Sequence, residues 1–233
     1  MRIKHILLTT TALALFATVQ QADADGLYVS FVGGGNLLQD ESSAGTAGYY
    51  NGSGRNSFDA DTGFALGAAV GVGLDNWLKG LRTEIEASYR RSDVSGNWFE
   101  YSGFYDTSDT GTLDANLSTF AVMANVAYDF DVGMKVKPYV TVGAGWARTH
   151  IEGFLNDLNL PFANPNFQAD NSGFAWQLGA GVNYEVAPGI QAGIGYRYFD
   201  APEASYFAGK NDGGDRHENN SHAVMFNVTI DTN

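Results

Sequence analysis

The chain has 233 residues, with 26 acidic against 13 basic side chains and no cysteine. A net charge of −13 makes it a poor partner for nucleic acid, which rewards basic patches. The missing cysteines exclude disulfide scaffolds, thiolate metal sites and thiol chemistry.

Met1-Arg2-Ile3-Lys4-His5 is a short basic start, and Ile6 to Val19 is apolar apart from its threonines. Ala22-Asp23-Ala24 carries the small-x-small pattern read by signal peptidase. The apolar run is too short for a permanent spanning helix, so residues 1–24 are expected to be a cleaved signal peptide and residues 25–233 one mature domain. No later segment reaches the apolar length of a transmembrane helix, so any membrane span must be made of strands.

From there the pattern is strict alternation, the mark of strands with two unlike faces. A weaker first strand runs from Leu27 to Gly35. Thr62 to Leu74 sets Phe64, Leu66, Val70 and Val72 against Gly63, Ala65, Gly67, Ala69 and Gly71. Leu81 to Arg91 sets Leu81, Ile85 and Tyr89 against Arg82, Glu84, Glu86 and Arg90. Leu117 to Phe130, Pro138 to Arg148, Gly173 to Val186, Ile190 to Phe199 and Ser221 to Ile230 repeat the scheme, which makes eight strands. Asp75 to Gly80, Asp131 to Val136 and Ala187 to Gly189 are short connections. Asn36 to Asp61, Ser92 to Asn116, Thr149 to Ser172 and Asp200 to Asn220 are long and polar, and hold seventeen acidic residues against three basic ones. The fold predicted is all-β: an eight-stranded antiparallel up-and-down transmembrane β-barrel with short turns at one end and long loops outside the cell.

Alternation alone does not say which face is inside, since a soluble barrel would turn its apolar face inward around a ligand. Volume decides it. Eight strands enclose a space only just wide enough for side chains, so the face rich in Gly and Ala fits the interior and the bulky face meets lipid. Aromatic residues near strand ends (Tyr89, Tyr128, Phe130, Trp146, Phe174, Tyr184 and Tyr198) match interfacial girdles.

This parity places Arg82, Arg90, Arg197 and Lys137 inside with Glu84, Glu86, Asp129 and Glu185, joined by Asn125, Gln177, Asn183 and Gln191. An unpaired charge in so narrow a space is costly. A paired polar plug is therefore expected, with a gated narrow conductance as the functional alternative. Gly67, Gly71 and Gly73 lie along a strand with no helix after them, which rules out a dinucleotide loop. Asn211-Asp212-Gly213-Gly214-Asp215 fits no established calcium loop and reads as a solvated acidic segment. Arg216-His217-Glu218-Asn219-Asn220-Ser221-His222 brings His, Ser and acid together in sequence, but parity turns Ser221 inward and His222 outward. A triad needs all its members within hydrogen-bond reach. No catalytic residue, cofactor or metal is expected.

Gly26-Leu27-Tyr28-Val29-Ser30, Leu81-Arg82-Thr83-Glu84-Ile85-Glu86-Ala87-Ser88-Tyr89-Arg90, Ala124-Asn125-Val126-Ala127-Tyr128-Asp129-Phe130 and Lys137-Pro138-Tyr139-Val140-Thr141-Val142-Gly143-Ala144-Gly145 together resemble the small outer-membrane β-barrels. That family includes the transmembrane domain of OmpA-type proteins, opacity-type adhesins and surface antigens of α-proteobacteria. The resemblance covers the whole mature chain. It implies a non-enzymatic protein of the Gram-negative outer membrane, acting in envelope integrity, adhesion or surface exposure. The partners it implies are outer-membrane lipid, lipopolysaccharide and the barrel-assembly machinery. Divalent cations at the acidic loops are a further expectation, from their charge. A barrel enzyme modifying lipid A and a narrow porin are the alternatives. The chain departs from the family in ending Val228-Thr229-Ile230-Asp231-Thr232-Asn233 rather than on an aromatic residue, and a peptidoglycan-tethering domain is not expected.

Overall fold

The computed structural model describes residues 26–38, 41–45, 53–60, 62–102, 107–157, 166–204 and 217–232. The expected signal peptide and the Asn211–Asp215 segment lie outside the described residues. Ten strands account for nearly all of the rest: β1 (Leu27–Leu38), β2 (Glu41–Gly45), β3 (Ser53–Ala60), β4 (Gly63–Gly73), β5 (Leu81–Ser102), β6 (Thr107–Asp129), β7 (Val136–Asp157), β8 (Asn166–Ala187), β9 (Ile190–Ala204) and β10 (His217–Asp231).

Eight of them close a ring in the order β5-β4-β1-β10-β9-β8-β7-β6, with β6 pairing back onto β5. The seam joins the first and last strands from Tyr28↔Asp231 to Leu38↔Ser221. All pairs are antiparallel, so every wall is an up-and-down neighbour and the closed part has no free edge. The two remaining strands extend existing walls. β4 pairs with Arg82 to Arg91 of β5, and β3 takes over on the same strand from Val94 to Tyr101; β2 then pairs with β3.

The short connections close tightly. Gly80 has a φ of 85° and Gly189 one of 72°, in the left-handed region where a Cβ is disfavoured. Gly80 also needs its bare Cα for space: an added Cβ would lie 2.2 Å from the Asp129 carbonyl oxygen. Two neighbouring turns are tied by Lys79 Nζ to Asp131 Oδ2 at 2.6 Å, on the open surface. That bond, with one from the Gly133 N–H, holds the Asp131 carboxyl below its ordinary range.

The long connections differ from the sequence reading. β5 runs on to Ser102 and β6 begins at Thr107, so most of the expected Ser92–Asn116 loop is strand. β7 and β8 likewise extend to Asp157 and back to Asn166, and β2 and β3 occupy part of the first loop. Strands of 22 residues, rising about 3.3 Å per residue at a tilt of about 40°, stand roughly 55 Å tall, against an apolar band of ~25 Å. Alternating hydrophobicity marks a strand only where its two faces meet unlike surroundings. Beyond the lipid the outward face meets water, so the alternation reverses: Ala115 and Ile151 are buried inward and Asp93, Asp114 and Glu152 are exposed outward, while the pairing continues.

Within the apolar band the faces sort as the volume argument requires. Phe31, Leu66, Ile85, Val142, Leu178, Tyr196 and Phe226 are exposed on the outside, whereas Ala121, Ala147 and Ala175 are fully buried within.

Candidate functional site

The inward positions of the paired strands β5 and β6 lie side by side on the wall of the lower lumen. Arg82 holds Asp129 in a fork, Nε to Oδ2 at 2.9 Å and Nη2 to Oδ1 at 3.3 Å, and Arg82 Nη1 approaches Glu84 Oε2 at 3.4 Å. Asn125 Nδ2 donates to Glu84 Oε1 at 3.1 Å and to Glu86 Oε2 at 3.3 Å, so one amide bridges two carboxylates. Gln177 Nε2 donates to Asn125 Oδ1 at 2.7 Å, which orients that amide. Arg197 of β9 closes the far end, Nη1 to Glu86 Oε1 at 2.7 Å. Asp129, Arg82, Glu84, Asn125, Glu86 and Arg197 thus form one continuous chain of charge-assisted bonds, the arrangement that makes burying several charges tolerable.

Gly143 leaves the space for it, because a Cβ there would stand 1.9 Å from Asn125 Oδ1. Two tyrosines complete the network without having been singled out in the sequence. Tyr28 accepts from Arg82 Nη1 at 3.3 Å and donates to Glu84 Oε2 at 3.1 Å. Tyr139 presents its ring 5.6 Å from the same guanidinium carbon. The signal was available in the bare glycines opposite them: a Cβ on Gly71 would strike the Tyr28 ring, and one on Gly195 the Tyr139 hydroxyl.

Five other charged or polar positions expected inside behave differently. Arg90 is buried but has no ion pair among the described residues. Its guanidinium carbon lies 3.6 Å from the Phe199 ring centroid, and Nη1 donates to Ser88 Oγ at 3.1 Å. Lys137, Glu185 and Gln191 stand near the short-turn rim, half-buried and without a side-chain bond to another described residue. Water reaches that rim, so no partner is demanded. Asn183 Oδ1 instead accepts from Asn227 Nδ2 at 2.9 Å.

Above the network the lumen turns apolar. Phe199 and Met123 are fully buried and pack with Ala121, Ala147, Ala175 and Ala201 into one cluster on the inner face of β6 to β9. Parity already turned Phe199 inward, and from there its ring reaches Arg90 of β5 across the lumen. Beyond it Asn219 Nδ2 donates to Thr119 Oγ1 at 3.1 Å and Thr149 Oγ1 at 2.8 Å.

The His/Ser constellation on β10 is not assembled. Ser221 is buried in the lumen with no hydrogen-bond partner for Oγ among the described residues. His222 lies on the opposite face, where Nδ1 bonds the Tyr196 hydroxyl and the ring meets Tyr198 edge-on at 5.2 Å. The side chain of His217 lies outside the described residues.

The long-loop end carries the second feature. Cross-strand pairing lines up Arg91, Ser118, His150 and Asp170, and one row further out Asp93, Asn116, Glu152 and Gln168. The outer row and the next, Ser95, Asp114, Phe154 and Asn166, line a cleft of about 700 Å³. Arg91 Nη2 donates to Asn116 Oδ1 at 2.9 Å, and Asp170 takes His150 Nδ1 at 2.9 Å and Arg148 Nη2 at 3.4 Å. Those bonds, His150 first, hold the Asp170 carboxyl below its ordinary range. No group of three or more His, Asp or Glu among the described residues is placed to hold a metal ion.

The family model described as outer membrane protein beta-barrel domain matches residues 8–229. Uncharacterized proteins of Brucella abortus and Brucella suis are 28% identical over 146 residues, 57% of this chain and 51% of theirs. The chain therefore spans about half the length of the curated relatives it matches. Among solved structures, Neisserial surface protein A superposes with a TM-score of 0.52 at 16% identity, covering 90% of this chain and 99% of that one. The Escherichia coli outer membrane protease OmpT gives 0.50 at 10% identity, covering 90% and 97%. At such identities the likeness is one of fold.

Proposed function

We propose that this chain, which belongs to the outer membrane protein beta-barrel domain family, is a non-enzymatic surface protein whose working part is the β extension above the membrane rather than the lumen. The protein resides in the outer membrane of a Gram-negative bacterium. Short turns face the periplasm in such barrels and the long end faces the medium. Residues 1–24 would serve as the signal peptide and the barrel-assembly machinery would insert the rest. Lipopolysaccharide around the barrel, and divalent cations near the acidic loops, are the proposed partners.

One observation carries this reading: buried Phe199 of β9 reaches Arg90 of β5 across the lumen, while β5 to β8 continue well past the lipid as an acidic extension. Side chains that meet across the lumen narrow any route for solute, which supports the display surface as the working part.

Planar-bilayer recording tests the first half and protease treatment of intact cells the second. Silent bilayers together with cleavage between the β5 and β6 tips are expected. Reproducible conductance steps would instead make the protein a narrow porin. A changed acyl count in lipid A on expression would make it an enzyme.

A further inference from the structure

We infer that Arg91 and Arg148 form a docking site for the phosphate groups of the outer-leaflet lipid. The inference rests on the reading that the long end of the barrel faces the medium. On β4 to β10, these are the only lysines or arginines among the described residues whose positions face outward; Arg82, Arg90, Arg197 and Lys137 face the lumen, and Lys79 and Lys135 lie in turns.

Their level is set by their neighbours. Arg91 pairs across the sheet with Phe64 on one side and Ser118 on the other. Arg148 pairs with Phe120, which in turn pairs with Tyr89. Phe64, Tyr89, Phe120 and Trp146 are exposed outward aromatics, the kind of ring that settles at the lipid–water boundary. The two guanidinium groups therefore emerge where hydrocarbon gives way to headgroups.

Across β6 their backbones are two strand spacings apart and offset by one row, roughly 12 Å, so two extended side chains can close on one phosphorylated headgroup. Guanidinium is the side chain best matched to phosphate, offering paired donors in a fixed fork. Arg91 is bonded only to the neutral Asn116 amide, so its charge is not neutralised by a carboxylate among the described residues. Arg148 shares Asp170 with His150, and its side chain remains more than half exposed. The carboxylates of Asp93 and Glu152 belong to the next row outward, roughly 7 Å further from the lipid.

The test uses the full-length chain folded in detergent micelles, with purified bis-phosphorylated lipid A and its dephosphorylated form as probes. Wild type should prefer the phosphorylated probe. Arg91→Gln with Arg148→Gln should bind it at least about tenfold more weakly and lose the preference, since both guanidinium forks are removed. Arg91→Lys with Arg148→Lys should keep part of it. Retarded gel mobility before boiling verifies that each variant is folded.

Equal binding of both probes by wild type overturns the inference without reference to any variant. So does unchanged binding by a folded double variant, or displacement of the lipid by millimolar inorganic phosphate, which would mark a free-anion site. Protease protection of the extension on intact cells would overturn the orientation instead, whatever the binding result.

Discussion

The lower and upper halves of β5 and β6 belong to the same strands yet are held by different physics. From Leu81 to Arg91 the outward residues include Ile85 and Tyr89, and the inward ones Arg82, Glu84, Glu86 and Arg90. Lipid on one side and a crowded lumen on the other leave almost no freedom in residue type. From Ser92 upward the outward residues turn polar, with Asp93 and Asn97 exposed, while Ser92 and Gly96 stay buried inward, and register is kept without a break up to Ser102↔Thr107. Once the lower strands are paired, each added rung brings two backbones already side by side, so little further chain entropy is lost. The lower half is specified by lipid outside and a charged lumen within, and the upper half by water outside, a buried inner face of smaller residues and the ladder itself.

The comparison breaks most visibly at Glu86. Glu86→Ala leaves Arg197 buried beside an empty partner position and should cost about 3–5 kcal/mol in denaturant unfolding from detergent. Replacing both Glu86 and Arg197 with apolar residues of similar volume should recover most of it. Unfolding unchanged by the single substitution would mean that the network holds nothing together.

Thr112 sits in the ladder of the extension, opposite Asn97 on one side and Asn156 on the other. Thr112→Pro should cost about 3 kcal/mol locally and abolish hydrogen-exchange protection above Asp93. Protection from Leu81 to Arg91 should survive. Loss of protection in both halves would show one cooperative unit rather than two.

A subtler effect is expected at Asp170. Its depressed pKa means the pairing with His150 and Arg148 stabilises at pH values above the ordinary Asp range and is lost as pH falls through the lowered value. His150→Ala should raise its NMR titration midpoint more than Arg148→Ala does, following the order of the two bonds. The smallest effect belongs to the exposed turn pair. Lys79→Ala should raise the Asp131 titration toward the ordinary range, with the Gly133 N–H bond still holding it somewhat below, while leaving unfolding unchanged, because solvent screens such pairs.

Much of this was legible in advance. The parity of Glu84, Glu86, Asn125 and Gln177 placed them in the lumen, and so did that of Arg82, Asp129 and Arg197. Arg90 was placed correctly by face, but its partner is the Phe199 ring, which the parity rule contained and the expectation of a small-residue interior passed over. The upper part of each long strand was passed over, because there the outward residues are polar and the alternation reverses its sense where lipid gives way to water.

The sequence by itself determined the eight walls, their two faces and the surroundings each face meets, since period-two alternation is a local property of any strand between unlike media. Tertiary structure decided who pairs with whom. Arg197 reaches Glu86 from 111 residues away, and that meeting depends on the register accumulated around the closed ring. The same closure separates Ser221 from His222, stacks Arg90 on Phe199 and carries the strands on past the membrane. None of these can be read from spacing along one strand, because each is set by a partner on another.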